Sequence, residues 1–177
     1  MRKDIAVFGL YPTRTELEGA VEALRSAGFR GTDISILMPQ DRATHELGHE
    51  VNSKAPEGGV TGAAAGGAVG GVLAWLASVG MLTVPGIGPL LAAGPIVAAL
   101  AGIGAGGATG GLIGALVGAG MPEVEAKRYE GRIRKGHILC SVHCDDSKWA
   151  DRAKEILKST GAQEISSTAE ATADYRP

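Results

Sequence analysis

The chain has 177 residues, a formal net charge of −2 and 20% charged residues. This length fits one domain of ordinary size, and the near-balanced charge gives no indication of a nucleic-acid partner. Aromatic residues make up only 4%, which argues against stacking platforms for single-stranded nucleic acid. Glycine is the exception in the composition, because its 28 residues are roughly twice the ordinary usage.

Charge divides the chain into zones. Residues 58–122 contain no Asp, Glu, Lys, Arg or His, whereas both flanking parts are charged. We therefore predict a first βαβ half with a polar linker (1–57), an apolar insert (58–121), a helix with a second βαβ half (122–170) and a tail (171–177). The apolar run near the N-terminus is too short for a signal peptide, so we expect a cytoplasmic location or the cytoplasmic face of a membrane.

The N-terminal zone predicts strand, helix, strand. The run from Asp4 to Leu10 suits a buried strand, and Thr13 or Thr15 is suited to cap the helix that follows. Gly28 is expected to close that helix in a left-handed conformation, and a second strand runs from Asp33 to Met38.

The C-terminal zone repeats this pattern after a charged helix that we place at 122–135. A strand is predicted at 137–143, a helix capped by Asp146 or Ser147 and closed by Gly161, and a last strand at 164–168. The helix ends align without a gap, ALRSAG over ILKSTG, and each is followed by an acid and Ile-Ser. Two such halves predict an α+β fold, a ferredoxin-like βαβ–βαβ sandwich with one helical layer on a four-stranded sheet.

The uncharged insert predicts a helical hairpin. Residues 59–82 are long enough to cross a hydrocarbon core, a Gly/Pro break follows at 83–89, and a second apolar stretch runs from 90 to 120. Within that stretch we place a short interfacial turn at 90–94 and a helix that begins at Pro95. Basic residues flank the insert, so we expect the soluble domain to face the cytoplasm from the inner membrane. A soluble closed oligomer with buried hairpins remains an alternative.

Glycines in the insert recur every four residues. Inside a helix each costs about 1 kcal/mol relative to Ala in water, whereas a glycine face permits close helix packing in a membrane. We therefore predict a glycine zipper that mediates helix packing and homo-oligomer formation through these residues: Gly62, Gly66, Gly70, Gly102, Gly106, Gly110, Gly114 and Gly118.

Residues 45–50 spell HELGHE, the H-E-x-x-H spacing of zinc proteases. A zinc site needs both histidines on a firm helix and a third ligand. Gly48 interrupts the segment, which carries no helical apolar stripe. We expect an exposed polar linker, with His45 and His49 as weak metal candidates and a zinc hydrolase as the unlikely function.

Other chemistry-bearing residues also have structural explanations. Cys140 and Cys144 share strand parity and are expected to be buried thiols in a reducing compartment. His137 and His143 lie about 20 Å apart along a strand, too far to share a metal ion. Basic residues on the charged helix are candidates for contact with anionic lipid headgroups: Lys127, Arg128, Arg132, Arg134 and Lys135.

Several stretches carry a family resemblance: VFGLYPTRTELEGAVEALRSAGF, KAPEGGVTGAAAGG, EAKRYEGRIRKGHILCSVHCDDS and STGAQEISS. Together they resemble a bacterial family of general-stress or heat-induced proteins of unknown function. Members of that family are often labelled as the two-helix D subunit (ActD) of the quinol-oxidising alternative complex III. The resemblance implies no catalytic residues, no cofactor and no redox centre in this chain.

The leading hypothesis is a non-enzymatic, oligomerising, membrane-associated stress protein. The main alternative is an accessory subunit of a quinol-oxidising respiratory membrane complex, which requires other membrane-complex subunits as partners.

Overall fold

The computed structural model describes residues 5–39, 80–84, 88–94, 111–118 and 120–168. Its centre is a six-stranded antiparallel sheet in the order β3-β4-β2-β5-β1-β6. The strands are β1 (Ile5–Tyr11), β2 (Ile34–Pro39), β3 (Gly80–Val84), β4 (Gly88–Ala93), β5 (Ile138–Cys144) and β6 (Gln163–Ser167). The helices are α1 (Arg14–Ser26), α2 (Gly111–Gly118), α3 (Glu123–Arg134) and α4 (Ser147–Ser159), and a 3-10 turn spans Gly31–Asp33. The predicted α+β class is confirmed.

Helix ends follow the predicted local signals. Thr13 caps α1 by accepting a hydrogen bond from the Glu16 backbone N–H at 3.3 Å, and Asp146 caps α4 by accepting from Trp149 N–H at 2.9 Å. The turns after these helices use glycine in the left-handed region, with φ of 101° at Gly28 and 92° at Gly161. The two halves therefore begin and end their helices by the same local chemistry.

Helices cover both faces of the sheet, whereas the sequence predicted a helical layer on one face. Side chains of β1 alternate between two cores, with Val7 in the first and Phe8 in the second. The first core contains residues of α1 and α4, and the second contains residues of α2 and α3. The result is a three-layer arrangement, because the strands are buried on both faces.

A β-hairpin replaces part of the predicted helical hairpin. Residues 80–82 were expected to end the first helix and residues 90–94 to form a turn, but they belong to β3 and β4. β4 pairs with β2, with Ile36 opposite Ala93 and Pro39 opposite Leu90. The edge of β2 supplies the backbone hydrogen-bond partners that an apolar segment needs, and hydropathy alone does not reveal such an edge.

The last part of the predicted second helix is helical but short. α2 spans eight residues, and its Leu112 and Leu116 are fully buried in the second core. Within the ranges that the structure describes, no helix is both long and apolar enough to cross a membrane. The other parts of the insert, including most of the predicted glycine zipper, lie outside the described residues, and the zone boundaries remain predictions.

Candidate functional site

A cleft opens where α1 ends and α4 begins, and we call it the Trp149 cleft. Its volume is ≈ 160 Å³. Its lining comes from the turn after α1, the 3-10 turn, the end of β5 and the start of α4: Gly28, Phe29, Arg30, Asp33, His143, Cys144, Asp145 and Trp149. Both βαβ halves thus contribute residues to one cleft.

Two aromatic rings form one wall of the Trp149 cleft. The Phe29 and Trp149 rings pack edge to face, with centroids 4.9 Å apart and an interplanar angle of 80°. Phe29 is buried, whereas Trp149 remains 36% exposed. The guanidinium carbon of Arg152 lies 5.7 Å from the centroid of the Trp149 ring, within the range of a cation–π contact.

An ion pair borders the cleft. Arg30 donates from Nε to Asp33 Oδ2 at 3.0 Å and from Nη2 to Asp33 Oδ1 at 3.1 Å, which is bidentate geometry. Burial raises the pKa of the Asp33 carboxyl, but hydrogen bonds from the Arg30 side chain and backbone outweigh it, so this pKa lies below its ordinary value. Asp33 therefore stays ionised at neutral pH.

The Cys144 thiol at the cleft is not activated. Burial raises its pKa to about 12, and the charges of Asp33, Asp145 and Asp146 act in the same direction. A thiol with such a pKa is protonated at neutral pH, and it is the thiolate that attacks electrophiles and binds metals. The cleft is thus suited to binding by shape and charge rather than to nucleophilic chemistry by this sulfur.

The basic residues of α3 are tied to carboxylates of the same chain. Arg132 contacts Glu164 Oε1 at 2.9 Å from Nε and 2.8 Å from Nη2, and Arg128 Nε lies 3.9 Å from Glu164 Oε2. Two further pairs lie along the helix, Lys127 with Glu123 at 2.7 Å and Arg134 with Glu130 at 2.9 Å, and Lys135 is the C-cap. Contact of these five residues with lipid headgroups remains a prediction.

Glu164 is held in an uncommon conformation. Its φ of 50° lies in the left-handed region, and the register between β1 and β6 shifts nearby, between Phe8 and Leu10. A non-glycine residue there costs of order 1–3 kcal/mol and persists only where its surroundings hold it. The ion pair to Arg132 is the visible restraint, and it ties α3 to the edge strand β6.

Two of the predicted glycines lie in α2. A Cβ added at Gly114 or Gly118 would meet no atom within 4 Å among the described residues, so both face open space there. The other six zipper glycines, and the weak metal candidates His45 and His49, lie outside the described residues. Helix packing through the glycines remains a prediction.

The predicted strand cysteines are free and buried, as expected. His143 reaches the Trp149 cleft, while His137 precedes β5 and keeps a buried Nδ1 without a hydrogen-bond partner in the described ranges. In the part of the chain that the structure describes, no three His, Cys, Asp or Glu side chains form a group able to hold a metal ion.

Sequence reasoning missed the Trp149 cleft. Phe29 and Arg30 follow a helix-ending glycine, and no sequence motif singles out these two residues or Trp149. One local signal was available, since the spacing of Arg30 and Asp33 permits an ion pair across a single turn. Nothing local indicates that this turn meets the end of β5.

Fold and composition together define an α+β protein whose sheet receives strands from an uncharged insert. A family model described as "Alternative complex III, ActD subunit" matches residues 6–167. The chain therefore belongs to the ActD family of alternative complex III subunits. This confirms the ActD part of the predicted resemblance, whereas no match supports the general-stress part. No curated protein and no solved structure matches the chain.

Proposed function

We propose that this protein is a non-enzymatic accessory subunit of a quinol-oxidising respiratory membrane complex of the alternative complex III type. The family match over residues 6–167 carries the proposal, because it spans both βαβ halves and the insert between them. The accessory-subunit hypothesis thus replaces the stress-protein hypothesis as the preferred function. Electron-carrying groups would reside on other subunits.

The soluble part of this subunit is proposed to be a ferredoxin-like unit. The four strands of the two halves stand in the order β2-β5-β1-β6, with α1 and α4 packed on one face. The hairpin β3–β4 adds two strands beside β2, and α2 and α3 cover the opposite face. In this proposal the additions serve to join the uncharged insert rigidly to the domain.

Contact with the membrane part of the complex is assigned to the uncharged insert. Its described pieces, β3, β4 and α2, carry no charged side chain. Val117, in the last turn of α2, is 42% exposed, and Val124, in the first turn of α3, is 73% exposed. Gly114 and Gly118 leave room for a close helix neighbour. We assign this face of α2 to packing within the membrane complex or between copies, with the soluble domain on the cytoplasmic side.

The test is purification of the affinity-tagged full-length chain from detergent-solubilised membranes of its own organism. The proposal expects stoichiometric co-purification of subunits that carry haem and iron–sulfur groups, visible in reduced-minus-oxidised spectra. Recovery of the chain alone, or only with copies of itself, would overturn it.

A matched pair of variants tests the assigned face of α2. Gly114→Leu adds a large side chain where the described residues leave space, so the isolated fold should persist while co-purification falls severalfold. Gly131→Leu is the control, because Gly131 lies in α3 and an added Cβ there would likewise meet no described atom within 4 Å. Equal recovery with both variants would reject this face as the contact.

A further inference from the structure

The Trp149 cleft has a counterpart in the other half of the protein, and the two differ in one respect. Each half has a seven-residue strand followed by a thirteen-residue helix, β1–α1 and β5–α4. Tyr11 ends the first strand and Cys144 ends the second. Gly28 and Gly161 follow the two helices at positive φ. The repeat thus places Tyr11 and Cys144 in equivalent positions.

In the first half the Tyr11 ring fills the space at the end of the strand. The Tyr11 hydroxyl lies 2.8 Å from Thr160 Oγ1 at the end of α4, and the Tyr11 side chain is fully buried. An added Cβ at Gly161 would approach Glu16 at 3.8 Å. The space between the end of α4 and the start of α1 is therefore filled from within.

In the second half the same position holds a thiol, and the described residues leave the space open. An added Cβ at Gly28 would approach Trp149 at 3.5 Å, so Trp149 occupies the place that Glu16 has in the first half. The opening measures ≈ 160 Å³. Because a cavity of about 150 Å³ can hold benzene, the cleft is large enough for a planar group of ring size.

The charged residues around the Trp149 cleft indicate which kind of chemical group it binds. Three carboxylates, Asp33, Asp145 and Asp146, impose a negative potential on Cys144, while Arg30 is paired with Asp33 and also attracts Asp145. The aromatic wall of Trp149 also favours a cation, since the face of an indole ring attracts positive charge. A planar cation satisfies both conditions, and guanidinium is the planar cation among protein side chains.

We propose that the Trp149 cleft binds the guanidinium group of an arginine side chain from a partner polypeptide. The chain already uses both contacts internally, with Arg30 bidentate on Asp33 and Arg152 over the Trp149 ring. Asp145, an exposed lining residue, is the acceptor for the incoming group. A free amino acid also carries a carboxylate, which would need a cationic partner in the cleft. Arg30 lines the cleft but is already paired with Asp33, so a free amino acid is disfavoured.

This inference does not depend on the proposed membrane complex, because it is tested on the isolated chain. The chain has two tryptophans, so the full-length Trp75→Phe variant leaves Trp149 as the only indole reporter. The probes are N-acetyl-arginine amide and N-acetyl-citrulline amide, which share shape but differ in charge. We expect saturable quenching of Trp149 fluorescence by the arginine probe, with the citrulline probe binding about fivefold more weakly. Equal binding of both probes, or no saturable binding, would overturn the proposal.

A second pair of variants locates the acceptor. Asp145→Asn should weaken binding of the arginine probe severalfold and leave binding of the citrulline probe unchanged. Asp151→Asn, an exposed aspartate of α4 that does not line the cleft, should change neither. If both variants weaken binding equally, the effect is general surface charge and the assignment to the cleft fails. Both positions are exposed, so both variants are expected to fold.

Discussion

Gly94 offers the sharpest test of the unexpected β-hairpin. This residue directly follows β4 with a φ of 85°, and an added Cβ would lie 2.8 Å from Ser35 Cα and closer still to the carbonyl oxygen of Ile34. In Gly94→Ala the left-handed backbone costs roughly 1–2 kcal/mol. The collision is with the backbone of β2 rather than a flexible side chain, and overpacking of this kind costs about 1–3 kcal/mol.

The expected loss is therefore about 2–5 kcal/mol, a large part of the ~5–15 kcal/mol that stabilises a typical domain. Urea denaturation followed by far-UV circular dichroism, in one detergent for all variants, measures this loss. The matched control is Gly131→Ala, since Gly131 is helical and an added Cβ would contact no atom of the described residues within 4 Å. It should gain about 0.5–1 kcal/mol.

The steric argument is wrong if the free energy of unfolding of Gly94→Ala lies within about 0.5 kcal/mol of that of the unaltered chain, the usual range for a neutral surface change. In that case β4 does not lie against β2 at Ile34 and Ser35. The predicted helix end at residues 80–82, with a break at 83–89 and a turn at 90–94, would then regain its place. If both alanine variants lose stability, substitution of any glycine destabilises the protein, and the result for Gly94→Ala no longer supports the hairpin.

Three further predictions concern the first core and the Trp149 cleft. Tyr11→Phe should cost about 1 kcal/mol in urea denaturation, because it removes a hydroxyl that contacts Thr160 Oγ1 and the Leu157 carbonyl oxygen, while Thr160 keeps its bonds to backbone carbonyls; no loss would contradict these contacts. Both cysteines have a pKa raised to about 12 by burial, so at pH 8 a disulfide reagent should label neither thiol until denaturant is added, and rapid native labelling would refute this. The folded-state pKa of Asp33 is depressed, so its contribution to stability is complete above the unfolded-state pKa of about 4 and is lost as pH falls through the folded-state pKa. The free energy of unfolding of Asp33→Asn should therefore fall less steeply with decreasing pH than that of the unaltered chain. An unchanged dependence of this free energy on pH below about pH 4 would contradict the pairing with Arg30.

Elements that depend on neighbouring residues were predictable from the sequence. The caps Thr13 and Asp146 and the closing glycines Gly28 and Gly161 stand where a few adjacent residues indicate them. The α+β class followed from the strand–helix–strand pattern of each half. In such cases the interacting groups lie within one helical turn, so sequence spacing determines their geometry.

Features that join distant segments were not predictable in the same way. The pairing of β4 with β2, and the burial of Leu112 and Leu116 of α2, were missed because an apolar segment suits a lipid, a sheet edge or a core equally well. The ion pair between Arg132 and Glu164 joins a helix to a strand 32 residues further along the chain. Hydropathy measures the preference for leaving water and does not identify the neighbour that receives the segment.

The sequence by itself determined the two βαβ halves, their caps and their repetition, because these rest on short-range hydrogen bonding and on apolar periodicity. The tertiary structure decided the third layer, the enlargement of the sheet by the insert, and the difference between a closed end at Tyr11 and an open cleft at Cys144. Those outcomes depend on which surfaces meet in space. Residues as far apart as Arg30 and Asp145 come to share one cleft only after the two halves pack together.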